Sequence, residues 1–291
     1  MTRKKSLNHM QLDVLNYRAT LDDKNTQSLQ KLENGYEGEL LFDQVLEQYK
    51  NQYDLIHVKD FLFKYDGGNK EIQIDNIVIS HDVCYIFEVK KFGFNLVLDD
   101  RNMFFYEDGR ECTMLNNQSE RQIGTVRQLL SECGYPMAIN HRMVFINPNQ
   151  TVYGVKKDSP ILLPNTMKGF LDHHMKSNRK DYRFLEEALN ERRLARSRYD
   201  TFYEIDLDVL RKGVYCADCA TRMIRRSRYK YSCNGCGARI STLDAIKCLI
   251  HDIRVLNPDF KMTSQFLSRL SDGEISGSAI RKYRLRGSIE Y

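Results

Sequence analysis

The stretch Ile72–Lys90, IQIDNIVISHDVCYIFEVK, decides the fold. Apolar and polar residues alternate on either side of the turn-forming pair His81-Asp82, which predicts two strands joined as a hairpin. With that pair at the tip, Asp75 lies opposite Glu88 and Gln73 opposite Lys90. Side chains alternate faces along a strand, so Asp75, Glu88 and Lys90 project to one side, beside Ile77, Ile79, Cys84 and Ile86. The other side carries Ile72, Ile74, Val78, Val83, Tyr85, Phe87 and Val89. A hairpin apolar on both faces is expected to lie inside a sheet covered on both sides.

Two carboxylates facing each other among isoleucines repel and resist burial. A divalent cation between them reverses that penalty, because Mg²⁺ is held by one or two carboxylates, waters and a substrate phosphate. Lys90, two residues beyond Glu88, places a fixed positive charge beside such an ion. This grouping suits phosphodiester hydrolysis, in which an activated water attacks and cations offset the developing charge. The structural alternative is a diagonal Asp75–Lys90 ion pair in an ordinary sheet. A register slip of one residue would also separate the acidic pair.

The chain of 291 residues has room for one large domain and a smaller one. No apolar run is long enough to span a membrane, and Met1-Thr2-Arg3-Lys4-Lys5 lacks the pattern of a signal peptide. Eight cysteines, four of them in two CxxC pairs, do not read as a secreted disulfide scaffold, and a reducing cytoplasm is expected. The net charge of +5 is unevenly spread. Residues 211–291 hold 16 Lys/Arg against 7 Asp/Glu, a balance of +9, leaving about −4 for the rest. The basic end is the candidate nucleic-acid surface.

Residues 1–33 read as a helical arm. Gly35–Lys50 predicts a helix with Leu41, Phe42, Val45, Leu46 and Tyr49 as its core stripe. Glu39 lies at the edge of that stripe; by spacing alone it reads as an acidic residue favoured in a first helical turn. Gly38 beside it allows close backbone approach. A strand over Tyr53–Phe63 leads through Asp66-Gly67-Gly68-Asn69 into the hairpin. Further strands are expected at Asn95–Leu98, Met103–Tyr106, Arg142–Ile146 and Pro160–Leu163. A helix over Asn117–Leu130 shows the stripe Ile123, Val126, Leu129 and Leu130. The charged run Asp181–Arg198 reads as a solvent-exposed connecting helix.

The succession Gly38-Glu39, then Ile74-Asp75-Asn76-Ile77-Val78, then Phe87-Glu88-Val89-Lys90 resembles the nuclease-related domain family, NERD, of the PD-(D/E)xK nucleases. The resemblance covers roughly residues 33–150. It implies an α+β, restriction-endonuclease-like mixed sheet flanked by helices, with the active site at one end of the sheet. It also implies that Asp75 and Glu88 ligate Mg²⁺ or Mn²⁺, with the Val89 carbonyl as a third oxygen. Lys90 would act on the attacking water, and Glu39 would bind a second metal or hold water in the outer shell. The family's Asn-Pro-x-x-Gln motif is imperfect here: Gln122 is the expected counterpart, and Gln118 is the alternative.

A second signal is Cys216-Ala217-Asp218-Cys219 and, after thirteen intervening residues, Cys233-Asn234-Gly235-Cys236-Gly237. Two such knuckles supply four thiolates for one tetrahedral Zn²⁺, with Gly235 and Gly237 expected to take the positive φ of knuckle turns. Cys84, Cys112, Cys133 and Cys248 read as small apolar residues. Between the knuckles, Arg222, Arg225, Arg226, Arg228, Tyr229 and Lys230 interleave charge with aromatic rings, as suits phosphates and unpaired bases. Helices follow at Asp244–Val255, Thr263–Leu270 and Ser276–Leu285, the last two either a helix-turn-helix or a cap over the ribbon. The parts expected are an arm (1–33), a nuclease-like domain (34–180), a charged linker (181–212), a zinc ribbon (213–240) and a helical module (241–291). Two functions follow: a metal-dependent nuclease acting on nucleic acid, DNA before RNA, or a non-catalytic nucleic-acid-binding adaptor on the same scaffold.

Overall fold

The computed structural model describes residues 3–116, 118–200, 202–203 and 205–291. The chain begins with α1 (Leu7–Arg18), α2 (Asp23–Gln52), β1 (Ile56–Tyr65), β2 (Lys70–Ser80) and β3 (Val83–Lys90). Then come β4 (Leu96–Leu98), β5 (Phe104–Tyr106), α3 (Thr113–Asn116), α4 (Gln118–Glu132) and β6 (Ile139–Phe145). β7 (Val152–Tyr153), β8 (Ile161–Leu162), α5 (Pro164–His174) and α6 (Arg183–Arg192) follow. Last are β9 (Ile224–Arg225), β10 (Lys230–Ser232), β11 (Arg239–Ser241), α7 (Thr242–Leu256), α8 (Ser264–Leu270) and α9 (Gly277–Leu285). Two compact units result: Met1–Lys4 with Glu33–Arg198, and Lys5–Leu32 with Tyr199–Tyr291. No described helix is long and apolar enough to cross a membrane.

In the first unit a five-stranded mixed sheet has the order β1-β2-β3-β6-β8. β1, β2 and β3 pair antiparallel, while β3–β6 and β6–β8 are parallel. Phe42, Leu46 and Tyr49 of α2 and Met167 and Leu171 of α5 pack with Val78, Tyr85 and Phe87 on one face. Val126, Leu129 and Leu130 of α4 and Leu185 and Leu189 of α6 pack with Ile77, Ile79, Cys84 and Ile86 on the other. The result is a mixed sheet between helices. α6 is therefore a core element and not a solvated connector, because Leu185 and Leu189 are fully buried. Leu41, expected in the helical stripe, is instead exposed. Asn117, the expected start of α4, lies outside the described residues.

His81 and Asp82 both take positive φ, 50° and 63°, the geometry of a two-residue turn that matches strand twist. The ladder runs from Ser80↔Val83 to Asn76↔Phe87 in the expected register. It stops there, so Asp75 and Glu88 are not a ladder pair. On the other edge of β2, Lys59↔Asn76 and Phe61↔Ile74 pair, but Asp60 and Asp75 between them do not. Asp60 has a left-handed φ of 47°. Both strands change face at this point. Phe61, Phe63, Ile72 and Ile74 join the same core as Ile56, Val58, Ile77 and Ile79, which corrects the expectation that Ile72 and Ile74 lie on the opposite side.

In the second unit, β11-β10-β9 form a small sheet carrying the cysteine knuckles. Behind it lies a core of α1 (Val14, Leu15), α7 (Ile246, Leu249, Ile253), α8 (Phe266, Leu267) and α9 (Ile280). Ser241 caps α7 by accepting from the Asp244 N–H, while Asp244 Oδ2 accepts from the Ser241 N–H. The Arg18 guanidinium is buried against Asp252 at 2.7 Å.

Candidate functional site

Asp75 sits where β2 leaves both neighbours. Its Oδ2 accepts from the Val89 N–H at 3.1 Å, so a side chain takes the place of a missing ladder bond. Burial pushes the Asp75 carboxyl well above its usual range, and Glu88 and Glu39 push the same way. Glu88 is 2 % exposed and held on both oxygens. Lys90 Nζ donates to Oε1 at 2.6 Å and Gln118 Nε2 to the same oxygen at 2.5 Å. Gln122 Nε2 donates to Oε2 at 2.7 Å. Both glutamines left open by the sequence thus reach Glu88, from successive turns of α4. The ion pair that forms is Lys90–Glu88, not a diagonal Asp75–Lys90 pair.

His141 on β6 completes this chain of contacts, with Nε2 2.8 Å from Gln122 Oε1. An amide oxygen only accepts, so His141 carries the proton on Nε2 and turns the Gln122 amide to donate to Glu88. Burial pushes the His141 imidazole down to about 4, which keeps it neutral. Nothing in the local sequence of β6 marks His141 as special; only the parallel β3–β6 pairing brings it there.

Glu39 faces the same end of the sheet from α2. Gly38 lets the helix approach, since a Cβ there would lie 2.8 Å from Lys91 Cβ. The Glu39 partner was not expected: Arg3 Nη1 donates to Glu39 Oε2 at 3.1 Å. Burial pushes the Glu39 carboxyl up to about 7; Arg3 opposes this, and Asp60, Glu88 and Asp43 reinforce it.

Asn76, fully buried, accepts on Oδ1 from Arg3 Nη2 and from His57 Nε2, both at 2.9 Å. His57 Nδ1 has no hydrogen-bond partner, so a second ring proton would be buried without an acceptor. Burial accordingly pushes the His57 imidazole down to about 4 from 6.5. In the unfolded chain this ring takes its proton near 6.5, but in the folded one only near 4. Its contribution to stability is whole above 6.5 and is lost as pH falls through that window. Wild type is expected to lose on the order of 3 kcal/mol relative to His57→Gln between pH 7.5 and 4. Denaturant melts of the two proteins across that range measure it, and parallel profiles would refute it.

The second candidate centre is sulfur-based. Cys216, Cys219, Cys233 and Cys236 place their Sγ atoms within 4.8 Å of one another. Among the described residues no other group of three or more His, Cys, Asp or Glu converges in this way. The Sγ separations of 3.6 Å (Cys216–Cys236) and 3.3 Å (Cys219–Cys233) approach the edge of about 3.8 Å that four Zn–S bonds of 2.3 Å would span. The donor set therefore fits Zn²⁺. Hydrogen bonding with the Thr221 hydroxyl and backbone lowers the Cys219 thiol to about 6, toward the thiolate a metal needs.

The two knuckles repeat one geometry. Ala220 (φ 57°) and Gly237 (φ 79°) follow the second cysteine of each pair, and their N–H groups donate to the Cys216 and Cys233 carbonyls. Gly235 does not take positive φ. It is needed for space, because a Cβ would lie 2.7 Å from Thr221 Oγ1 and 3.2 Å from Cys219 Sγ.

The six basic and aromatic residues between the knuckles are all exposed but not equally free. Arg222 pairs with Asp272 at 2.7 Å and Glu274 at 3.3 Å, bracing the turn between α8 and α9. Arg225 donates to the Glu274 carbonyl, and Arg226 to Ser232 Oγ and Asn234 Oδ1. Arg228 lies over the Tyr229 ring at 5.6 Å. Arg228 and Lys230 have no ion-pair partner among the described residues, so the hairpin tip keeps its charge available. On α9, Arg281, Lys282 and Arg284 are exposed as well, as is Arg286 at its C-cap.

No curated protein and no solved structure matches the chain. Residues 34–146 match the family model described as nuclease-related domain. The matched stretch holds Glu39, Asp75, Glu88, Lys90 and Gln122 and stops short of the cysteine knuckles. This chain carries, over residues 34–146, a nuclease-related (NERD) domain.

Proposed function

We propose that the protein is a metal-dependent nuclease that hydrolyses phosphodiester bonds, of DNA before RNA. In this reading the zinc-binding module engages the substrate through Arg228, Tyr229, Lys230 and the basic face of α9. The observation that carries it is the convergence of a buried carboxylate, Glu88, and a half-buried one, Asp75, with Lys90 where β2 and β3 part. Asp75 has one hydrogen-bond donor and two acidic neighbours that disfavour its charge, which is the donor chemistry a hard cation stabilises.

Asp75 and Glu88 would hold Mg²⁺ or Mn²⁺ with the Val89 carbonyl. Such an ion supplies a water acidic enough to attack phosphorus and offsets charge on the phosphoryl oxygens. Lys90 directs its ammonium at the same place, orienting the water and stabilising the pentavalent phosphate. Gln118 and Gln122 fix the rotamer of Glu88, and His141 fixes Gln122. Four cysteines gathered for zinc and four lone ones, Cys84, Cys112, Cys133 and Cys248, suit a reducing, cytoplasmic setting.

Removing the Lys90 ammonium is expected to slow cleavage by about 10²–10⁴-fold. Lys90→Met should do so while Mn²⁺ binding and the melting temperature stay near wild type. Single-turnover cleavage of labelled DNA reads the outcome, and wild-type rates in the variant would remove Lys90 from the chemistry.

The adaptor reading also has one observation behind it: three side chains already occupy the Glu88 carboxylate. In that reading nucleic acid binds through the second unit and is left intact. The two readings separate on metal response, because an adaptor binds equally with and without added Mg²⁺ or Mn²⁺.

A further inference from the structure

Arg3 makes more side-chain contacts at the candidate site than any expected catalytic residue, yet it lies outside the matched domain. Its side chain is 0 % exposed. Nε and Nη2 form a fork on Asp43, at 3.1 Å each. Nη1 donates to Glu39 at 3.1 Å and to Asp60. Nη2 also donates to Asn76 Oδ1 at 2.9 Å and to the Asp75 carbonyl at 3.2 Å. The last contact falls at the one position where β1 and β2 fail to pair. A guanidinium thus replaces the ladder bond behind Asp75 and meets three carboxylates. Burial alone disfavours its charge, and Asp43, Asp60 and Glu39 more than offset that.

Glu39 is the residue expected to take a second divalent ion or an outer-shell water. Its Oε2 is bound to Arg3, and a cation already sits among the carboxylates that would attract that ion. We infer that Arg3 is a positioning residue: its guanidinium fixes the backbone of Asp75, serves as the cation shared by Glu39, Asp43 and Asp60 (Asp43 also pairs with Lys59), and limits the site to one divalent ion. This rests on the nuclease reading for the identity of that ion. Arg3 touches neither water nor phosphate in this scheme; it acts through Asp75 and Glu39.

The test is Mn²⁺ titration of the full, zinc-loaded chain, by calorimetry and by the electron paramagnetic resonance signal of free Mn²⁺. Wild type is expected to take up one Mn²⁺ beyond its zinc. Arg3→Gln removes the one guanidinium that Glu39, Asp43 and Asp60 share, leaves Lys59 on Asp43 at 3.1 Å, and should take up two, while Arg3→Lys stays at one. Should Arg3→Gln not fold, Glu39→Gln in the wild-type background decides the question. The inference expects one Mn²⁺ there too, with affinity within about threefold of wild type. Two ions in wild type, one of them lost in Glu39→Gln, overturn the inference and leave the nuclease reading standing. No Mn²⁺ in wild type overturns both.

Discussion

Asp75→Asn is expected to abolish metal-dependent cleavage and, at the same time, to raise the melting temperature of protein free of Mg²⁺ and Mn²⁺. The loss should be on the order of 10³-fold or more, about 4 kcal/mol of transition-state stabilisation. The gain in stability has a separate cause. Burial, Glu88 and Glu39 all raise the Asp75 carboxyl, so without a cation the folded chain must either take up a proton or bury a third negative charge. A group raised in this way stabilises the fold below its unfolded value of 3.8, and that contribution is lost as pH rises through the folded value. The asparagine amide is neutral at every pH and its Oδ1 still accepts from the Val89 N–H. The variant should therefore melt higher at pH 7–8, by about 2–4 °C for each kcal/mol of repulsion removed, and the gap should close toward pH 4. Mn²⁺ should raise the melting temperature of wild type and leave the variant unmoved. A variant that melts lower than wild type at neutral pH would make Asp75 a structural residue, and equal metal responses would place the ion elsewhere.

Cys216→Ser is expected to have the largest effect on folding. Four thiolates at one Zn²⁺ contribute about 10–16 kcal/mol of apparent binding energy in small zinc modules, more than such a unit's own core supplies. The sheet beside the knuckles has strands of only two or three residues. Cys216 is also packed with Val214, Met223 and Tyr231, so losing the metal opens the core that these residues share with α7. The variant should release its zinc, and limited proteolysis should cut between residues 213 and 241. Fragments within residues 33–198 should survive, since their sheet has its own two helical covers. Full zinc occupancy in the variant, or wild type that folds without zinc, would contradict this.

The parts of the site that local rules govern were legible in the sequence. The His81-Asp82 turn sets the hairpin register, and two CxxC pairs identify a four-thiolate centre without knowledge of the fold. Gln118 and Gln122, four apart on a helix, reach one carboxylate because helical spacing puts them on one side. What stayed hidden depends on residues far apart in the chain. The change of face at Asp60 and Asp75 needs a left-handed aspartate and an arginine 72 residues away from Asp75. Strict alternation therefore put Ile72 and Ile74 on the wrong side. Asn76 and His57 read as ordinary strand residues, and only burial beside Arg3 reveals why polar groups occupy those positions. Ala220 could not be identified as the counterpart of Gly237, because a left-handed alanine carries no compositional mark.

The nuclease reading is tested most directly by cleavage of end-labelled single- and double-stranded DNA and RNA by the zinc-loaded chain. The reactions contain Mg²⁺, Mn²⁺ or no added divalent ion, with Asp75→Asn as the control. DNA is expected to be cut only with the added ion, and the cutting should vanish in the variant. Intact substrates in every reaction, with binding retained whether or not the ion is present, would contradict it and leave a nucleic-acid-binding adaptor.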